Sequence, residues 1–124
     1  MVAAEQATQH RDVEGLLRFF APQAFIEIAI VSPSDSVTLH FSRDEYRQYL
    51  LRGFAEASAY QFQRTHMEMQ ISPDGQSALV HSEMSEETRT HGQFIRSKST
   101  GITRFELLNG EPLITLAKAS VRIE

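Results

Sequence analysis

The chain has 124 residues, 41% of them hydrophobic, no cysteine, and twelve basic against sixteen acidic side chains for a net charge of −4. That length fits a single domain over residues 1–124 with enough apolar material for a core held by packing alone. The composition argues against disulfides, thiolate metal sites and thiol nucleophiles, against nucleic acid, since no basic run follows a phosphate backbone, and against a membrane, since the apolar runs are short.

Met1-Val2-Ala3-Ala4-Glu5 lacks the charged-then-apolar pattern of an export signal, so a soluble chain is expected, cytoplasmic rather than exported, with a trimmed leader left open. Residues 4–11 read as a helical lead-in. Asp12 then caps a helix whose apolar positions Val13, Leu16, Leu17 and Phe20 recur at helical spacing and which is predicted to end at Ala21-Pro22. Ala24 to Ile30 and Val37 to Phe41, separated by Ser32-Pro33-Ser34-Asp35, read as a small strand pair. Ser42 followed by Glu45 is a capping box opening a helix with Tyr46, Tyr49, Leu50 and Phe54 on one stripe, ending near Ala57-Ser58.

From Ala59 to Thr90 two alternating strands hinge on Pro73-Asp74-Gly75-Gln76. A two-residue Asp74-Gly75 loop would pair Ile71 with Ala78, Met69 with Val80, Met67 with Ser82, Thr65 with Met84 and Gln63 with Glu86 on one face. The other face then pairs Gln70 with Leu79, Glu68 with His81, His66 with Glu83, Arg64 with Ser85 and Phe62 with Glu87. The first face is apolar near the turn and becomes polar at Glu86, as a core opening into a cavity would. A turn at His91-Gly92 leads into a long strand from Phe94 to Leu108, which Gly101 is expected to kink or bulge. Asn109-Gly110 makes the next tight turn, pairing Leu107 with Pro112, Phe105 with Ile114 and Thr103 with Leu116, and the last strand runs to about Ile123.

Helices followed by long antiparallel strands indicate an α+β domain, a strongly curved antiparallel sheet wrapped around N-terminal helices to form a cone with a pocket. Glu86 is the candidate catalytic residue at its mouth, with Thr65, Met67, Met84 and Phe105 as candidate ligand-binding neighbours. Burial there would raise the Glu86 pKa and suit it to proton transfer; a structural glutamate paired with a cation is the alternative. The methionines fit either a packed core or an adaptable apolar lining. His66, Glu68, His81 and Glu83 on the opposite face have the ligand types of a zinc site, but alternating charges also stabilise an exposed sheet, so no metal is assigned. Neither a nucleophile elbow nor a phosphate-cradling glycine loop occurs, and no cofactor is implied.

The order of elements resembles the nuclear transport factor 2-like superfamily, particularly its SnoaL-like and ketosteroid-isomerase-like members. The resemblance rests on Leu16-Leu17-Arg18-Phe19-Phe20-Ala21-Pro22-Gln23-Ala24, on Ser42-Arg43-Asp44-Glu45-Tyr46 and on Phe105-Glu106-Leu107-Leu108-Asn109-Gly110. It covers nearly the whole chain, with a first helix shorter than the family's. It implies a pocket that in some members performs isomerase or dehydratase chemistry and in others only binds, and it implies pairing through the sheet face. Isomerase chemistry of this kind uses a carboxylate base with a tyrosine and a protonated acid. Phe19 and Phe20 stand where the first helix would supply a tyrosine, so no catalytic set is transferred.

Two functions from different classes follow. One is a small-molecule pocket protein acting on an apolar cyclic compound by lyase- or isomerase-like proton transfer at Glu86. The other is a non-catalytic dimeric binding or interaction domain whose pocket is largely filled. Either would form a homodimer through the charged sheet face.

Overall fold

Asp12 accepts a hydrogen bond from the Gly15 amide at 3.0 Å and so caps the first described helix, α1 (Val13–Leu17). The computed structural model describes residues 12–124, and the predicted lead-in over 4–11 lies outside the described residues. The chain continues through β1 (Phe20–Val31), β2 (Ser36–Phe41), α2 (Arg43–Glu56), β3 (Ala57–Ile71), β4 (Ser77–Thr90), β5 (Gln93–Leu108) and β6 (Glu111–Ile123). Helix α1 ends at Leu17 rather than at Ala21-Pro22. The residue before a proline is disfavoured in the helical region, so Phe20 and Ala21 are already extended, and the Ile114 amide donates to the Phe19 carbonyl at 2.7 Å. Replacing Asp12 with alanine is expected to cost about 1 kcal/mol in urea unfolding, because the cap holds a helix that has only one turn to lose.

The capping box of α2 forms as predicted. The Ser42 amide donates to Glu45 Oε1 at 2.8 Å, and the Glu45 amide donates to Ser42 Oγ at 3.2 Å. Hydrogen bonding to the carboxyl from Ser42, by its backbone amide first and its side chain second, holds Glu45 below its ordinary pKa. The next residue of that turn ties the helices together: Arg43 donates from Nε and Nη2 to the Leu17 carbonyl at 3.3 and 3.1 Å, satisfying the C-terminal end of α1.

The six strands form one open sheet in the order β2-β1-β6-β5-β4-β3. It is not wholly antiparallel as predicted: β6 returns from the β5 hairpin to lie parallel to β1, while the other neighbours are antiparallel. One face, here called inner, carries α1 and α2. Its core is Val13, Leu17, Phe20, Ala24, Ile26 and Ile114, with Phe41, Tyr46, Leu50, Phe105 and Ala117 packed against it. No described helix is long and apolar enough to cross a membrane.

Four local expectations are corrected. The Asp74-Gly75 hairpin closes through Ser72 and Ser77, the Gly75 amide donating to the Ser72 carbonyl and the Ser72 amide to the Ser77 carbonyl, each at 2.9 Å. Asp74 Oδ1 accepts from Ser72 Oγ at 2.6 Å and from the Gln76 amide at 3.0 Å, and only Gly75 has a positive φ, so the loop is wider than the two-residue form. The register survives this from Ile71↔Ala78 to His66↔Glu83 and then shifts. Thr65 is an extra residue, so Arg64 rather than Thr65 opposes Met84, and Gln63 and Phe62 oppose Ser85 and Glu86. In the last hairpin the Asn109-Gly110 turn has φ of 54° and 81°, as a tight turn requires. Leu107 pairs with Pro112 and Phe105 with Ile114, but a shift follows and Thr103 pairs with Ala117 instead of Leu116. Gly101 does not carry this irregularity; it lies in unbroken register between Ser82 and Ala119.

The apolar end of the β3–β4 hairpin is also not the enclosed end. Val80 is 1% exposed, but Met69 is 50% and Ile71 67% exposed, because α2 lies over the opposite end of these strands.

Candidate functional site

Strand alternation places Val80, Ser82, Met84 and Glu86 of β4 on the inner face, along with Ser97, Ser99, Gly101 and Thr103 of β5. Helix α2 lies across that face. Because the capping box sets where α2 begins, Tyr46 and Tyr49, three residues apart, project from one side of it. Their rings form an aromatic wall: Tyr46 lies 5.6 Å from Phe20 and 6.0 Å from Phe41 between ring centroids, Tyr49 lies 4.9 Å from Phe41, and the two tyrosines stack at 6.2 Å.

Glu86 faces this wall. Burial raises its pKa above that of an ordinary glutamate. Burial also raises the Tyr49 phenol, reinforced by the charge of Glu86, and raises the Tyr46 phenol further, reinforced by Tyr49 and Glu86. The charge of Glu86 reaches both phenols, so the carboxyl lies within electrostatic range of them. Both phenols stay protonated at physiological pH and are hydrogen-bond donors, while the carboxyl can take up or release a proton closer to neutrality.

The other predicted ligand-binding residues divide. Met84 is half-buried on the same face, one alternation from Glu86. Met67 is half-buried there too, its sulfur accepting a contact from Arg64 Nη1 at 3.1 Å. Phe105 belongs with the core around Ile114, towards the other end. Thr65 does not join the site: displaced by the bulge it is exposed, and its hydroxyl donates to the Glu83 carbonyl at 3.3 Å. The same bulge carries Arg64 onto the inner face opposite Met84, a placement contrary to the sequence register. Nothing in the residues around Thr65 marks the bulge. Tyr46 and Tyr49 did carry a signal, a paired aromatic stripe after a cap, but sequence alone does not say which strand that stripe meets.

His66, Glu68, His81 and Glu83 lie on the outer face, as predicted from register. With Glu27, Thr100, Ile102 and Lys118 they line a shallow depression of about 480 Å³. His66 Nε2 is 3.2 Å from Glu68 Oε1, and at the adjoining edge His40 Nε2 is 2.8 Å from Glu27 Oε1. Among the described residues no three histidine or carboxylate side chains come together as a metal site.

No family model and no curated protein sequence matches the chain. Solved structures do. A conserved protein from Planctomyces limnophilus superposes with a TM-score of 0.78 at 13% identity, over 99% of this chain and 91% of that one. A nuclear transport factor 2-like protein of unknown function from Pseudomonas putida gives 0.69 at 14% identity, over 96% and 79%. A ketosteroid isomerase-like protein from Erwinia carotovora gives 0.65 at 12% identity, over 97% and 88%. The shared fold is the nuclear transport factor 2-like fold, an α+β sheet curved around helices and left open.

Proposed function

We propose that this chain of nuclear transport factor 2-like fold is a small-molecule pocket protein that transfers a proton on an apolar cyclic compound, with Glu86 as the base. The observation that carries the reading is a half-buried, pKa-raised carboxyl within electrostatic range of two protonated phenols beneath an aromatic wall. A carboxylate that takes a proton from carbon beside a carbonyl leaves negative charge on the carbonyl oxygen. Donors fixed in a largely dry site stabilise that charge, and the protonated carboxyl can return the proton to another carbon of the same ligand. The aromatic and methionine lining accounts for an apolar ring as the substrate body. The likeness to a ketosteroid isomerase-like protein supports this by fold analogy alone.

The test is exchange of the α-protons of 2-tetralone in heavy water, followed by NMR. The parent protein is expected to accelerate exchange and Glu86→Gln to abolish most of the acceleration. Exchange no faster than buffer would favour the non-catalytic binding domain with a filled pocket.

We further propose that the partner is a second copy of this chain, joined through the outer face. Glu27, Glu68 and Glu83 there alternate with His66, His81 and Lys118, so the surface is complementary to itself about a two-fold axis. Phe25, 44% exposed on the same face with Lys118 5.8 Å above its ring, supplies an apolar edge. Light scattering at micromolar concentration is expected to give about twice the 14.1 kDa chain mass. A monomer mass would reject the pairing.

A further inference from the structure

The described strands hold His40, His66 and His81, and all three face outward. His40 of β2 lies opposite Glu27 of β1, with Nε2 2.8 Å from Glu27 Oε1. On β3, His66 Nε2 is 3.2 Å from Glu68 Oε1. Across to β4, His66 lies opposite Glu83 and His81 opposite Glu68, so each carboxylate of the outer depression has a histidine for a neighbour. The next strand, β5, sets uncharged Thr100 and Ile102 against Glu83 and His81.

This pattern makes the self-complementarity of the face conditional on pH. With neutral imidazoles, Glu27, Glu68 and Glu83 stand against Lys118 as the one permanent cation among the described lining residues. Apposing two such copies brings like charges together and strips water from carboxylates that lack a cationic partner. Histidine is the side chain that ordinarily gains its charge between about pH 8 and about pH 6. Its protonation sets an imidazolium beside each of these glutamates, so the carboxylates enter the interface already paired. The bordering charges stay constant over that range. Arg96 with Glu87, Lys98 with Glu124 and Arg104 with Glu106 are ion pairs at 3.5, 3.7 and 3.9 Å, while Arg122 opposite Lys98 and Arg89 near the end of β4 remain cationic.

We propose that pairing of two copies through the outer face is proton-linked: protonation of His66 and His81, with His40 at the adjoining edge, closes the dimer and their deprotonation loosens it. This linkage rests on the pairing proposed above and adds what regulates it. The dimer then holds more protons than two separate copies, so association tightens as pH falls through the histidine range, and association itself takes up protons.

The test is the dimer dissociation constant by sedimentation equilibrium at about pH 8 and about pH 6 and one ionic strength, where the parent is expected to associate at least about tenfold more tightly at the lower pH. The double variant His66→Gln/His81→Gln keeps polar side chains at exposed positions but cannot gain charge. It should stay as weakly associated at the lower pH as the parent is at the higher. Glu68→Gln/Glu83→Gln makes the opposite change, removing the excess of negative charge, and should dimerise at the higher pH as tightly as the parent does at the lower. A misfolded variant would not give that gain at dimer mass. His91→Asn is the control: it lies at the β4–β5 turn with φ of 51°, a conformation asparagine accepts, and should leave the dependence intact. A dependence retained in the histidine double variant overturns the inference, because the titrating group is then elsewhere, at Glu86 on the inner face or in the charge of the whole chain. Loss of the dependence in His91→Asn, or weak association of Glu68→Gln/Glu83→Gln at the higher pH, overturns it as well. A parent dimer equally tight at both pH values overturns the linkage and leaves the pairing standing, whereas a monomer at both overturns both.

Discussion

Glu86→Gln is expected to slow ketone α-proton exchange by about 10²–10⁴-fold, the usual contribution of a positioned base, while the folded protein becomes more stable at alkaline pH. The two effects have one cause. Burial raises the carboxyl's pKa in the folded state above its unfolded value. Between those two values the native protein holds more protons than the unfolded chain, so the stability contribution of Glu86 declines as pH rises through that window. The penalty is complete above the folded pKa, where a charged carboxylate must remain in a poorly solvated site. Glutamine keeps the shape and removes the charge. Melting temperatures should therefore coincide below about pH 4, where the carboxyl is protonated in both states, and diverge in favour of the variant by pH 8. A structural glutamate paired with a cation predicts the reverse at pH 8, since glutamine would break the pair. The measurement thus separates the functional reading of Glu86 from the structural one without a ligand, and the exchange rate then tests the chemistry.

What was legible in the sequence is what depends on a few neighbouring residues. Ser42 and Glu45 specify the start of α2 through two reciprocal bonds, and Asn109-Gly110 specifies a turn through two positive φ angles. The register from Ile71↔Ala78 to His66↔Glu83 follows from the hairpin loop and period-two alternation, which is why the histidines were placed outside correctly. Beyond His66 simple alternation no longer gives the pairing, because a bulge answers to the curvature of the whole sheet. Thr65 has ordinary strand chemistry, yet its insertion sets Arg64 opposite Met84 and Gln63 opposite Ser85, exchanging the faces of these two residues. The inner-face position of Glu86 is legible from β4 alone, since β4 alternates without interruption. The approach of Tyr46 and Tyr49 to within electrostatic range of Glu86 is not, since it is set by how α2 crosses the sheet, a tertiary relation that neither element encodes by itself.

The largest stability effect expected is from Leu17→Ala, about 2–5 kcal/mol in denaturant unfolding. Apolarity does not distinguish Leu17 from Ile71 in the sequence, but Leu17 is 0% exposed and Ile71 67% exposed. Helix α1 spans only Val13–Leu17, too short to persist without tertiary support, so its attachment depends on Val13 and Leu17 reaching Phe20, Ile26 and Ile114. The Leu17 carbonyl is also the acceptor for both nitrogens of Arg43 at the first residue of α2. A cavity at Leu17 therefore loosens the seat of α2 one turn before Tyr46, whose ring rests on Phe20 in the same core. Ile71→Ala, by contrast, should change stability by no more than about 0.5 kcal/mol, since most of its side chain already meets water. If Leu17→Ala also lowers the exchange rate in protein that remains folded while Ile71→Ala leaves it unchanged, the site depends on the core that holds α2 over β4; equal stability losses for the two variants would contradict the burial on which that dependence is argued.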